Sequence, residues 1–355
     1  MRKTLYIVGG GAVTPVGLTA AQTCAAIRAG IAGFEEIPRA QAFGATQTAA
    51  RIPAKRQLRK TEADWLLNLA CRAIEEALEG VEPETKDIAL LIAIPEKFRE
   101  HPSANEIADS AYVERIEAKI GKRFHEVSCV LNGGAASVLS GLEDGRKWLL
   151  EGTVRMVLLG GVDSYVNQRD FDRLHSAGRI KAEDNAQGMI PGEGASFVLL
   201  SISPEDHKPN ISALIRGIGL GREKNTAVSE LYSIGNGMLG ALSAALRDGQ
   251  LSEAELSCII SNSNGERYQA WESMIFRPRF YRTQRSFLPI LYPAMSVGDL
   301  GAASGALTLL VAANLVSKGY APGPVGICQI AMCEIASEGM ERGACVVESL
   351  SQQGK

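Results

Sequence analysis

Histidine is scarce in this sequence, and the few that occur are poorly placed for joint chemistry. The 355 residues include four histidines, and none follows His207. No two of them have the HxH or HxxxH spacing of metal ligands, so we expect no metal site. The glycine clusters at residues 9–11 and 217–221 give no GxGxxG fingerprint before a helix and an acidic residue. We therefore also expect no bound cofactor.

A pattern of paired cysteines is also missing. The chain has seven cysteines, an odd number, and no CxxC pair. This excludes the disulfide framework of a small secreted protein and favours reduced, buried thiols in a cytoplasmic protein.

The sequence also lacks a strong net charge and long apolar runs. The 37 basic and 40 acidic side chains give a net charge of −3, and aromatics make up only 6%. Such a balance does not favour a nucleic-acid partner. Apolar runs such as residues 306–316 are too short to span a bilayer, so we expect no membrane association. The apolar residues 5–8 predict a first strand ended by a glycine turn at 9–11, rather than a signal peptide.

Strand and helix patterns alternate along the chain. Helical spacing covers residues 20–29 and 62–79. Apolar segments predict strands at residues 87–94, 126–131, 155–160 and 196–200. This βαβ rhythm predicts an α/β protein with parallel strands.

The second half of the sequence repeats the first. The same four residues, Gly-Ala-Ala-Ser, open a helix at 134–137 and another at 301–304, and the two helices end before Gly152 and Gly319. Apolar strands follow at 154–159 and 325–331. Similar closing strands are predicted at 194–198 and 343–347. We predict two related halves, residues 1–205 and 206–355.

Four short motifs occur in a defined order. They are AVTPVG at residues 12–17, GGVD at 160–163, GEGA at 192–195 and LGAA at 300–303. Together they resemble the thiolase-fold β-ketoacyl-acyl-carrier-protein synthase family, in which the GGVD-like segment is a turn. The resemblance implies an internally duplicated, five-layer αβαβα thiolase-like fold.

The catalytic residues of that family are absent. Its chemistry uses a cysteine at the start of a buried helix, two histidines and a supporting lysine. The matching positions here hold Ala135, Asn262, Gly298 and Pro293, and the glycine-rich loop near the C-terminus reads SEGMER at 337–342. The resemblance is thus to a degenerate member that lacks the Cys-His-His triad.

Other residues offer alternatives. Cys129 is a displaced nucleophile candidate, and His125 would share its face if the strand is regular. Ser137 has no base to activate it. The amides of Asn262 and Asn264 offer hydrogen bonds to a ligand, or belong to an ordinary loop.

Two basic runs are candidates for contacts with other proteins. Four arginines, interleaved with aromatic residues, form either a solvated loop with buried rings or a surface for an acidic partner such as a carrier protein. They are Arg277, Arg279, Arg282 and Arg285. The run Lys55, Arg56, Arg59 and Lys60 is interpreted as a connector.

Three functions follow from this pattern. The first is a non-catalytic subunit or scaffold, a homodimer or a heterodimer with a related synthase, with an acyl carrier protein as a further partner. The family implies dimerisation through residues 126–131. The second is an acyl-transferring or acyl-condensing enzyme of fatty-acid or polyketide type that uses Cys129 and His125. The third is an acyl-chain binder, which bulky side chains in the former active site would argue against.

Overall fold

The computed structural model describes residues 4–38, 46–53, 61–82, 84–96, 111–206, 211, 213–229, 231–320 and 328–350. Its helices are α1 (Ala20–Arg28), α2 (Glu62–Leu78), α3 (Ala111–Ile120), α4 (Ser137–Glu151), α5 (Gln168–Ser176), α6 (Asn236–Gly249), α7 (Arg267–Phe280), α8 (Ala294–Val297) and α9 (Ala303–Lys318). Its strands are β1 (Leu5–Val13), β2 (Phe34–Pro38), β3 (Thr46–Ala50), β4 (Ile88–Ala93), β5 (Cys129–Leu131), β6 (Met156–Ser164), β7 (Glu193–Ser201), β8 (Ala213–Arg222), β9 (Cys258–Ser261), β10 (Ile290–Leu291), β11 (Ile330–Ala336) and β12 (Glu341–Ser349).

Ten of these strands form one sheet with a repeated order. The order is β10-β9-β11-β12-β8-β1-β7-β6-β4-β5, and β2 pairs with β3 in a separate hairpin. Each half of the large sheet, read outward from its centre, runs first, fifth, fourth, second and third in sequence order. Because β1 pairs with β8, the two halves meet at the centre, and β5 and β10 lie at the two ends.

Helices cover both faces of each half and create the five layers. Helices α4 and α9 pack between the halves, and residues 303–316 of α9 are buried all round. Helix α2 covers the outer face of the first half, and α6 covers that of the second. Successive residues of a strand pack on opposite faces of the sheet. Leu158 packs outward against α2, and Leu159 packs inward against the middle layer. The predicted thiolase-like, duplicated αβαβα fold is confirmed.

The helix ends of the repeat are confirmed as well. Gly152 and Gly319 follow α4 and α9 with left-handed backbone angles, and their N–H groups bond back to the last turn of each helix. A glycine accepts this conformation without steric cost. The assignment of halves to residues 1–205 and 206–355 stays a prediction.

Two of the predicted turns are wrong. Residues 9–11 lie inside β1, and residues 160–163 lie inside β6. The glycines serve close packing instead: a Cβ on Gly11 would lie 2.0 Å from the Ala73 carbonyl oxygen of α2. A side chain there would push the outer helix off the sheet.

Two strand predictions also need correction. The sheet is mixed: β7 runs antiparallel to β1 and β6, whereas β4 is parallel to β5 and β6. The strand predicted at 126–131 is only β5, because Ser128 turns back, with both its N–H and its hydroxyl donating to the His125 carbonyl. Residues 55–60 and 325–327 lie outside the described residues. In the described part of the chain, no helix combines the length and apolarity needed to cross a bilayer.

Candidate functional site

Two of the three positions predicted to match the family's triad line one small cavity. Ala135 lies just before α4, and Asn262 follows β9; both face a cavity of about 20 Å³. Gly298 is not part of this lining, but the next residue, Asp299, is. A volume of this size holds about one water molecule.

The start of α4 has no nucleophile and no free hydroxyl. Ala135 is buried, and its side chain carries no reactive atom. The Ser137 hydroxyl donates to the Gly134 carbonyl at 2.6 Å. Ser337 from the C-terminal loop accepts the Ala136 N–H at 2.8 Å and donates to the Gly133 carbonyl at 2.6 Å. Side chains therefore already use the polar groups of this helix start.

Helix α9 packs against the backbone just before α4. A Cβ added to Gly305 would lie 2.1 Å from the Ala135 carbonyl oxygen. The backbone at Gly305 and Ala135 is thus in direct contact, with no space for a side chain between them.

The Asn262 side chain, which follows β9, forms two hydrogen bonds to the end of β11. Its Nδ2 donates to the Ala336 carbonyl at 2.8 Å, and its Oδ1 accepts the Ala336 N–H at 2.9 Å. Both ends of the amide are thus bonded to the backbone of Ala336, at the end of β11. Asn264 instead donates to the Asp299 carboxylate at 2.6 Å.

Gly298 has a backbone that does not suit histidine. It ends α8 with φ +69° and ψ −171°, a conformation that side chains rarely adopt. A Cβ there would lie 2.9 Å from the Ile190 carbonyl oxygen. Pro293, at the position of the supporting lysine, caps the start of α8.

A partly buried network of charges includes two residues of the cavity lining, Arg179 and Glu338. Arg179 makes a forked ion pair with Glu266 at 2.5 and 3.0 Å and also pairs with Glu338. Arg173 binds the same Glu338 oxygen at 2.8 Å. Burial alone would raise the pKa of Glu338, but the two guanidiniums outweigh it and lower the pKa to about 2. Glu338 therefore stays ionised and holds α5 and its following loop against the C-terminal loop.

Carboxylates also approach the start of α9. Asp163 accepts the Ala302 N–H at 3.0 Å, and Asp299 accepts the Gly301 N–H at 2.7 Å. Burial raises the pKa of Asp299 to about 6, although Asn264 and the Gly301 N–H oppose the shift. Both carboxylates thus accept hydrogen bonds from the backbone at the start of α9.

Glu96 completes the lining from the first half of the chain. Its carboxylate accepts the Gly339 N–H at 3.1 Å and lies against Gly134, where a Cβ would come within 2.9 Å of it. The described residues contain no cluster of three His, Cys, Asp or Glu side chains suited to a metal ion.

The displaced Cys129–His125 pair lacks its predicted geometry. Residues 126–127 form a turn, so His125 and Cys129 do not share the face of one strand. The His125 Nδ1 accepts the Val127 N–H at 3.4 Å, and no hydrogen bond joins it to Cys129 among the described residues. Burial, with a smaller effect of the Asp144 carboxylate, raises the pKa of the Cys129 thiol. The thiolate is disfavoured.

The arginine run is only partly a surface. Arg277 pairs with Glu334 at 2.6 Å, and Arg285 pairs with Glu253. Arg277 and Arg285 therefore form ion pairs within the protein, whereas Arg279 and Arg282 are exposed.

Sequence reasoning missed the charged network. Glu338 lies within the loop at 337–342, and Asp299 directly precedes the LGAA motif, so both stood beside recognised segments. Arg173, Arg179 and Glu266 belong to no motif. Only the fold brings them together.

The geometry can now be compared with known structures. No family model and no curated protein sequence matches the chain. A type II polyketide acyl carrier protein in complex with its ketosynthase, bound to a hexaketide, matches with TM-score 0.79 at 15% identity, over 98% of this chain and 99% of that one. The chain has the ketosynthase fold.

Two further ketosynthase-fold structures support this assignment. The ishigamide ketosynthase/chain length factor matches with TM-score 0.79 at 17% identity, over 98% of this chain and all of that chain. A ketosynthase in complex with its chain length factor from Xenorhabdus doucetiae matches with TM-score 0.73 at 16% identity, over 98% of both chains. At these identities the likeness establishes the ketosynthase fold alone.

Proposed function

We propose that this chain is a non-catalytic, ketosynthase-like subunit of polyketide or fatty-acid type assembly that pairs with a related, active synthase in the cytoplasm. The observation that carries the proposal is the former nucleophile position. Ala135 lies just before α4 and lines a cavity of about 20 Å³, whose lining also includes charged and amide side chains. Condensation needs both a nucleophile and space for an acyl group.

The same cavity argues against the acyl-chain binder. Burying even a short acyl chain needs far more than the volume of about one water molecule. The side chains of Glu96, Tyr165, Arg179 and Glu338 occupy the space instead. Bulky groups in this position were the result expected to count against that function.

Pairing with a second subunit is supported by the edge strand β5. It lies at the end of the large sheet and pairs with β4. Its three residues, Cys129, Val130 and Leu131, are apolar and only half-buried. An apolar, partly exposed edge strand favours pairing with another chain.

The proposal also draws on the compared structures. Those proteins include a ketosynthase bound to its chain length factor and a ketosynthase in complex with an acyl carrier protein. We propose that this chain takes the place of the partner subunit in such a pair, with an acyl carrier protein as a further partner of the complex.

The experiment compares the two edges of the sheet. Val130→Lys places a charge on β5, and Leu291→Lys places one on the half-buried strand β10 at the opposite end. With the tagged protein produced in its native cells, Val130→Lys should abolish co-purification of a related synthase, and Leu291→Lys should retain it. Thermal unfolding measured by circular dichroism checks that both variants fold. Equal recovery with both variants, or condensing activity of the purified chain alone, would contradict the proposal.

A further inference from the structure

Several large apolar side chains are exposed on α7 and on the loop before α6. Val228 and Leu231 are each 66% exposed, Ile234 is 55% exposed and Met274 is 70% exposed. We call this surface the loop–helix patch: Val228, Leu231, Tyr232, Ile234, Trp271 and Met274. Large contiguous apolar surfaces on a soluble protein mark interaction sites.

The patch is held in place by specific contacts. The rings of Tyr232 and Trp271 lie 5.1 Å apart, and the Trp271 indole N–H donates to the Ser233 carbonyl at 3.1 Å. Arg279 donates to the Ile234 carbonyl at 2.9 Å. Met274 lies one turn after Trp271 on the same face of α7. The apolar surface is therefore preformed.

A groove runs beside this surface. It has a volume of about 340 Å³ and is lined on one side by Leu231, Tyr232 and Tyr268 and on the other by residues 177–179, 185 and 187. The outer face of α7 has no covering element among the described residues, since only Glu272 and Phe276 of that helix are buried. An elongated ligand thus has both a ridge and a channel to lie against.

On the two segments that carry the patch, the described exposed charges are basic. In the described parts of residues 222–235 and 264–282, the three acidic side chains, Glu223, Glu266 and Glu272, are buried. The exposed charged side chains there are Arg222, Lys224, Arg267, Arg279 and Arg282. Glu230 lies outside the described residues, and the neighbouring segment 181–184 carries exposed charges of both signs, Lys181, Glu183 and Asp184.

We propose that the loop–helix patch docks an amphipathic helix of a partner protein, with apolar residues on the patch and acidic residues facing the basic rim. Exposed apolar anchors with a rim of one charge match this chemistry. A second copy of this chain does not match it, because an isologous contact would bring two basic rims together. The patch lies on the β8–β12 half of the sheet, whereas β5 lies at the end of the other half.

Site-specific crosslinking in native cells tests this proposal. The photoreactive residue p-benzoylphenylalanine is placed at Met274 and, as a matched control, at Met295 on α8, which is equally 70% exposed. The expected result is a Met274-specific adduct whose crosslinked peptide, mapped by mass spectrometry, lies in an acidic amphipathic helix of another protein. An adduct with this chain itself, with lipid or with a basic segment would overturn the proposal. The absence of an adduct, or equal adducts from both positions, would overturn it too.

Charge reversal then tests the basic rim. Lys224→Glu with Arg267→Glu should reduce the Met274 adduct by at least about tenfold, because like charges now meet across the contact. Arg72→Glu with Lys147→Glu gives the same change in net charge at exposed sites on α2 and α4 and should leave the adduct unchanged. An equal loss with both pairs would exclude a local charge contact. Val130→Lys should separate subunit pairing from this contact by leaving the Met274 adduct in place.

Discussion

The side-chain amide of Asn262 is bonded in both directions to the backbone of Ala336, at 2.8 and 2.9 Å. The position predicted to match a family histidine therefore joins β9 to the end of β11 in this chain. The tie closes the second half of the sheet above the cavity.

This tie predicts the effect of restoring the histidine. Asn262→His removes an acceptor for the Ala336 N–H and a donor for its carbonyl, and should lower the free energy of unfolding by about 1–3 kcal/mol. Urea denaturation measures the change. Ser263→Ala, at the next loop position, should shift the free energy by less than about 0.5 kcal/mol. A neutral Asn262→His variant would show that the amide bonds carry little stability.

Restoring the nucleophile should not restore condensation. Ala135→Cys places a thiol at the start of α4, where the helix dipole favours a thiolate. The cavity of about 20 Å³ still excludes an acyl group, and positions 262 and 298 still lack histidine. Intact-protein mass spectrometry with an acyl-thioester donor should show no acyl-enzyme, and no carbon dioxide should be released from a malonyl donor. Formation of either product would mean that the site opens.

Glu338 predicts a loss of stability in acid. Its folded pKa of about 2 lies below its ordinary value of 4.5, so its stabilising effect is complete above about pH 4.5 and is lost as the pH falls towards 2. Its size is on the order of 2–3 kcal/mol. In Glu338→Gln the unfolding free energy should vary less with pH across this range. An unchanged pH profile would mean that Arg173 and Arg179 do not depend on this carboxylate.

Asp299 predicts the opposite dependence at higher pH. Its folded pKa of about 6 lies above its ordinary value of 3.8. The protonated form is favoured in the fold, so the stability it contributes below about pH 4 is lost as the pH rises through 6. Asp299→Asn cannot ionise and should remove this component of the profile between pH 4 and 6. Unfolding curves that keep their slope in the variant would assign the dependence to another group.

Cys129 should not form an acyl-enzyme. Burial raises the pKa of its thiol, and no base is bonded to it among the described residues. A thiol-reactive acyl probe at pH 7 should leave the native protein without stoichiometric label, and the Cys129→Ala variant should behave like the parent. Stoichiometric labelling that disappears in Cys129→Ala would revive the displaced-nucleophile hypothesis.

The layered fold could be predicted from the sequence, but the network of buried charges could not. Gly152 and Gly319 predicted the ends of α4 and α9, because a left-handed helix cap leaves a local signal. The turn predicted at residues 9–11 was wrong, because a glycine that permits close packing cannot be distinguished in sequence from a glycine in a turn. Arg179 and Glu338 are 159 residues apart and pair only through the fold. Such a long-range ion pair leaves no periodic signal in a single sequence.

Native mass spectrometry of the tagged protein, purified from its own cells at low ionic strength, tests the central claim most directly. The account predicts a one-to-one complex with a related synthase that retains a cysteine and two histidines at its own triad positions. It also predicts that condensing activity of the complex is lost when the partner's cysteine is replaced. A homodimer of this chain that condenses acyl groups unaided would contradict the account.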